Sequence, residues 1–121
     1  MAGKQILGRA FIRVSGQTLA SLPGSAKLNP GGMERSPVVG DFGFLGYTEK
    51  PMHGEIECDI AVDATTDIGK INATTGATVT FEGDTGQVWV MRDAALAAPA
   101  NVQSGDGKAS LKFIGSAVEQ V

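Results

Sequence analysis

The sequence predicts a single, mainly β domain, and three observations carry that reading. Residues 55–63 alternate strictly: Glu55, Glu57, Asp59, Ala61 and Asp63 share one side, while Ile56, Cys58, Ile60 and Val62 share the other. That is the period of a half-buried strand. Two further alternating stretches set Ala77, Val79 and Phe81 against Thr78, Thr80 and Glu82, and Ala109, Leu111 and Phe113 against Lys108, Ser110 and Lys112. Seventeen glycines and five prolines, with few helix formers in periodic array, argue against an all-α chain. At 121 residues the chain has the size of one small β-sandwich or barrel, burying roughly 65% of its unfolded surface, and is too short for a two-domain enzyme.

In chain order, residues 1–9 form an arm that Ile6 and Leu7 can dock. Residues 10–15 have strand composition, and Gly16-Gln17 turns them toward a short partner at 18–21. Leu22-Pro23-Gly24 and Asn29-Pro30-Gly31-Gly32 are breaks on either side of a brief strand at 25–28. Residues 33–50 place Val38, Val39, Phe42, Phe44, Leu45 and Tyr47 among three glycines and a proline and show little periodicity. The segment reads as a long irregular loop that either packs on its own domain or contacts a partner, since so much apolar surface left bare invites aggregation.

The acidic strand follows Pro51. Residues 65–72 make one or two helical turns, with Thr65 or Thr66 as N-cap, Asp67 in the first turn, and Ile68 and Ile71 anchoring the apolar side. Gly83-Asp84-Thr85-Gly86 turns the 77–82 strand into a return at 87–92, in which Val88 and Val90 oppose Trp89 and Met91. The alanine-rich stretch 94–102, broken by Pro99, is either an irregular strand or a helical turn followed by a strand. Ser104-Gly105-Asp106-Gly107 leads into the last strand, and residues 116–121 form a tail.

Catalytic chemistry is absent from this pattern. The formal charge of −3, with ten basic residues scattered, gives no general attraction for nucleic acid. Cys58 stands alone, so no intrachain disulfide or CxxC site exists, and it reads as a small core residue. His53 is the single histidine and has no ligand cage or serine elbow, so it reads as a rim residue. Gly105-Asp106-Gly107-Lys108 lacks the loop that precedes a phosphate-binding lysine. No catalytic, metal or cofactor-binding residue is assigned, and the chain is read as a non-enzyme without cofactors. No apolar run is long enough for a signal peptide or a membrane span, which leads to an expectation of cytoplasmic synthesis. The three carboxylates Glu55, Glu57 and Asp59 form either an ordinary solvated sheet face or a charged lining to which an anionic partner does not stick.

Four stretches together carry a family resemblance: residues 8–16 (GRAFIRVSG), Asn29-Pro30-Gly31-Gly32 followed by residues 34–40 (ERSPVVG), residues 46–51 (GYTEKP) before the acidic strand, and the closing residues 107–115 (GKASLKFIG). Their order and spacing resemble the tail tube proteins of Mu-like contractile-tailed bacteriophages over nearly the whole chain. The resemblance implies a β-sandwich or rolled β-barrel with one short helix. It implies that six copies close into a ring, and that rings stack into a DNA-conducting tube inside a contractile sheath. Tape measure protein and transiting DNA would lie inside, with baseplate and tail terminator proteins at the ends. The location would be the virion tail, with assembly in the host cytoplasm.

On this resemblance, residues 33–50 are the inter-ring contact loop, with Val38, Val39, Phe42, Phe44, Leu45 and Tyr47 as contacts. Residues 2–9 and 116–121 lie where subunits meet, and Glu55, Glu57 and Asp59 are candidates to face the lumen. Two alternatives stand beside it: the tube of a related contractile injection system, and a small ligand-binding β-sandwich using Trp89, Tyr47 or Phe42 as an aromatic platform.

Overall fold

The computed structural model describes residues 3–19 and 21–121. In chain order the strands are β1 (Ala10–Val14), β2 (Gln17–Thr18), β3 (Lys27–Asn29), β4 (Gly32–Gly40), β5 (Gly43–Met52) and β6 (Gly54–Ala61), then β7 (Ala77–Gly83), β8 (Val88–Leu96), β9 (Asn101–Gln103), β10 (Lys108–Gly115) and β11 (Glu119–Gln120). A short helix, α1 (Ile68–Asn72), separates β6 from β7. Nine strands form one antiparallel sheet whose main path runs β2-β1-β7-β8-β10-β6-β3, with β11 added to β8 and β9 to β10. Strands β4 and β5 pair with each other and with no strand of this body.

The alternating rows behave as their period requires. Ile56, Cys58 and Ile60 of β6 are at most 3% exposed, as are Ala109, Leu111 and Phe113 of β10. Val79 and Phe81 of β7, Ile12 of β1, and Met91 and Ala94 of β8 complete one contiguous core. Trp89 lies at its margin, edge-on to Phe81 with ring centroids 5.5 Å apart. Burial pushes the Cys58 thiol up to about 12, with the neighbouring Asp59 charge acting in the same direction. The thiol is therefore a protonated core group.

The sheet folds over this core because β8 serves both halves. Val88 to Met91 pair with β7, whereas Ala95 and Leu96 pair with β10. Between these stretches Asp93 takes a left-handed φ of 54°, a conformation aspartate tolerates better than most residues. The register of β7 against β8 shifts opposite this bend.

Among the described residues no sheet is closed into a barrel, so the architecture is mainly β with one short helix. Between β2 and β3 the chain touches β6 through the Ser21 to Ile60 bridge, the Leu22 N–H donating to the Asp59 carbonyl at 2.8 Å, and the Ser25 hydroxyl accepting from the Asp59 N–H at 3.2 Å. Pro23 follows Leu22, and without an N–H it cannot extend the ladder.

Two other expectations are revised, and one left open is decided in favour of the irregular strand. Residues 33–50 lie within the β4–β5 hairpin, whose register shifts once between Val38 and Val39, and not in a loop. Its apolar and polar residues segregate along its length rather than between its faces, so period two is hidden. The helix N-cap is Asp67, whose carboxylate accepts from the Lys70 N–H at 3.1 Å. Thr65 and Thr66 are held instead by Asp63, their hydroxyls donating to its Oδ1 at 2.6 and 3.3 Å. The alanine-rich stretch extends β8 to Leu96, breaks, and resumes as β9.

The arm docks on its own subunit, where the Gly8 and Arg9 N–H groups donate to the Asp84 carboxylate at 3.2 and 3.1 Å. Position 2 of the predicted contact arm lies outside the described residues. The tail supplies β11, tied to β8 by an Arg92–Glu119 ion pair of 2.9 Å.

Phe113 is 1% exposed in the middle of the core. Its replacement by alanine is expected to lower stability by about 3–5 kcal/mol, read as a reduced urea midpoint.

Candidate assembly interface

The β4–β5 hairpin is exposed along nearly its whole length. Nine and ten residues long, its strands reach roughly 30 Å at the usual rise. Its base is charge-paired: Lys50 lies 3.5 Å from Glu34 and Arg35 lies 3.4 Å from Glu49. The Arg35 guanidinium also sits over the Tyr47 ring, 5.8 Å from its centroid. Towards the tip the composition changes. Val39, Phe44 and Leu45 are between 66 and 71% exposed and Phe42 is fully exposed. Val38 and Tyr47, also exposed, complete the six residues named above, and the fold brings them together on one half of one hairpin.

Backbone crowding holds the hairpin to the body. Gly31 takes φ 75°, and a Cβ there would fall 2.6 Å from the His53 carbonyl oxygen. At Gly54, a Cβ would fall 2.8 Å from the Ser116 carbonyl oxygen. Both positions therefore require glycine. The Val118 N–H donates to the Pro30 carbonyl at 2.8 Å, fastening the tail across this junction.

The second surface is the outer face of β6. Glu55, Glu57 and Asp59 do point away from the core, all half-buried. Cross-strand pairing places Lys112 opposite Glu57 on β10, and Lys27 opposite the same residue on β3. Lys112 Nζ lies 3.7 Å from Glu55 and 3.8 Å from Glu57, and Lys108 Nζ lies 3.9 Å from Asp59. The Ser110 hydroxyl donates to Asp59 at 2.8 Å. The three carboxylates thus pair with the two lysines of β10, and Lys27 stands in register beside Glu57, so the face carries both signs of charge rather than acid alone. The lysines were legible as the polar row of residues 108–112, but their register against β6 was not.

His53, at the β5–β6 junction, places Nε2 2.7 Å from Glu55 Oε1. This hydrogen bond is the main cause holding the Glu55 carboxyl below its usual value of 4.5; partial burial opposes it and the Lys112 charge adds to it. Because the folded value is lowered, the interaction is complete above pH 4.5 and is lost as pH falls through the lowered value. Glu55→Gln is expected to flatten the decline of the urea midpoint below pH 4.5 relative to the native chain.

The proposed aromatic platform does not form. Trp89 belongs to the core margin, whereas Phe42 and Tyr47 stand on the hairpin. Among the described residues no cluster of three or more His, Cys, Asp or Glu side chains could hold a metal ion, and no helix is long and apolar enough to cross a membrane.

An open antiparallel body carrying an unpartnered apolar hairpin defines a structural subunit. Residues 3–120 match the family model described as phage tail tube protein, and the chain belongs to that family. It is 38% identical over 109 residues to the Mu-like prophage FluMu tail tube protein of Haemophilus influenzae, covering 90% of each chain. It is 37% identical over 94 residues to the tail tube protein of Escherichia phage Mu, covering 78% of each. Its fold is also that of a sheath/tube terminator of an extracellular contractile injection system, with a TM-score of 0.68, 11% identity, and coverage of 99% of this chain and 98% of that one.

Proposed function

We propose that this tail tube subunit assembles as stacked hexameric rings forming the DNA-conducting channel inside a contractile sheath. The observation that carries the reading is the hairpin, whose apolar half is exposed and pairs with no other strand among the described residues. Such a patch is stable in a soluble protein when another surface covers it. Identical neighbours also cover the edges that an open sheet leaves exposed. On this reading Val38, Val39, Phe42, Phe44, Leu45 and Tyr47 make the contacts between rings. Sheath protein lies outside, tape measure protein and transiting DNA lie inside, and baseplate and terminator proteins meet the two ends. The site of action is the virion tail, after assembly in the host cytoplasm. The fold shared with an injection-system terminator supports the related reading, a tube of a contractile injection system, and a neighbouring capsid and terminase gene cluster decides for the phage.

On this reading Glu55, Glu57 and Asp59 face the lumen. Their role is altered by the lysines beside them: the carboxylates hold Lys108 and Lys112, leaving fewer free ammonium groups to grip phosphate. The wall would let DNA slide because its charges are already paired.

Replacing Phe42, Phe44 and Tyr47 together by serine is expected to leave a folded, soluble subunit that forms no tubes under the electron microscope. Tubes of unchanged length would refute the inter-ring role. The triple change Glu55→Gln, Glu57→Gln, Asp59→Asn is expected to give tubes that retain DNA at low salt and release it as salt rises. Variant tubes that hold no more DNA than native ones would remove these residues from the lumen.

A further inference from the structure

We propose that the hairpin tip of one copy seats in a pocket beside the N-terminal arm of the next, with Phe42 as the knob and Asp41 facing Arg9. This rests on the tube reading and names the surface that receives the hairpin. The tip residues Asp41 and Phe42 form the turn between β4 and β5, and the ring of Phe42 is fully exposed. Elsewhere on the body lies a cavity of about 380 Å³ lined by Leu7, Phe11, Leu19, Leu22, Ala26 and Phe81. A space of this size accepts one aromatic side chain. Two of its walls are unfinished, since Phe11 is 45% and Leu7 41% exposed.

Charge and position select a second copy as the occupant. Arg9 stands at the rim with its side chain 75% exposed and Asp84 3.7 Å away, while Asp41 immediately precedes the knob. An acidic residue beside an aromatic tip complements a basic residue beside an apolar pocket. The hairpin leaves the body at the Gly54 end of β6, whereas the pocket adjoins its other end through the Ser21 to Ile60 bridge. Those ends are roughly 20 Å apart along the strand. A hairpin rooted at one end of the strand and a pocket at the other are different surfaces, so a knob seated in the pocket of the next copy is a heterologous, head-to-tail contact, the kind that propagates into a stack rather than stopping at a pair.

The test mixes chains carrying Asp41→Cys, which keep the Phe42 knob, with chains carrying Leu22→Cys under mild oxidation. Cys58, 2% exposed, stays out of the reaction. A cross-linked pair on a non-reducing gel, formed only when both variants are present in tubes, is the expected result. Tubes without that cross-link, or a cross-link formed by Asp41→Cys alone, would overturn the pocket assignment and leave the tube reading standing. Failure of the unmodified chain to polymerise would overturn both. Independently, Asp41→Lys is expected to raise the critical concentration for tube growth about tenfold, and adding Arg9→Glu to the same chain to restore it. An unchanged critical concentration for Asp41→Lys overturns the proposal.

Discussion

Three strands turning alternate residues into one shared core is the constraint on which this molecule depends. Ile56, Cys58 and Ile60 meet Leu111 and Phe113 from β10 and Val79 and Phe81 from β7, and no polar side chain among the described residues is buried with them. A slip of one residue in β6 would drive three carboxylates into that core and expose its apolar row. The register that seals the inside therefore also orders the outside, setting Glu55, Glu57 and Asp59 beside the lysines of β10. Core packing and surface charge pairing are two results of one alignment.

What was legible in the sequence follows from this. Strands buried on one side announce themselves by period two, as 55–63, 77–82 and 108–113 do, and the structure places their apolar rows inside. The hairpin did not announce itself because neither of its faces is buried against the body. Its residues are chosen for the tip or the base, so the change in character runs lengthwise. The bend in β8 was also hidden, since Asp93 in an alanine-rich run looks like a strand end, while in the fold it lets one strand pair on both sides of the core. Position 67 went astray through competition: Asp63 captured both threonines that could have capped α1.

The candidate site divides in the same way. Residue types named its members, since six apolar side chains in 33–50 had no visible cover, and the fold gathers them on one projection. Mixed charge on the β6 face was not visible, because opposition of Lys27, Lys108 and Lys112 to the carboxylates depends on strand neighbours far away in sequence. Membership in the tail tube family is the common setting in which both surfaces are read.

The junction at Gly31 and Gly54 separates building the body from aiming the projection. Because main-chain atoms fill the space where a methyl group would go, the angle of the hairpin is decided by the backbone and not by interchangeable side chains. The hairpin is a lever many times longer than its fulcrum, so a tilt of a few degrees there moves the tip by ångströms. Two glycines thus act as the set screws of spacing and twist in whatever the lever engages.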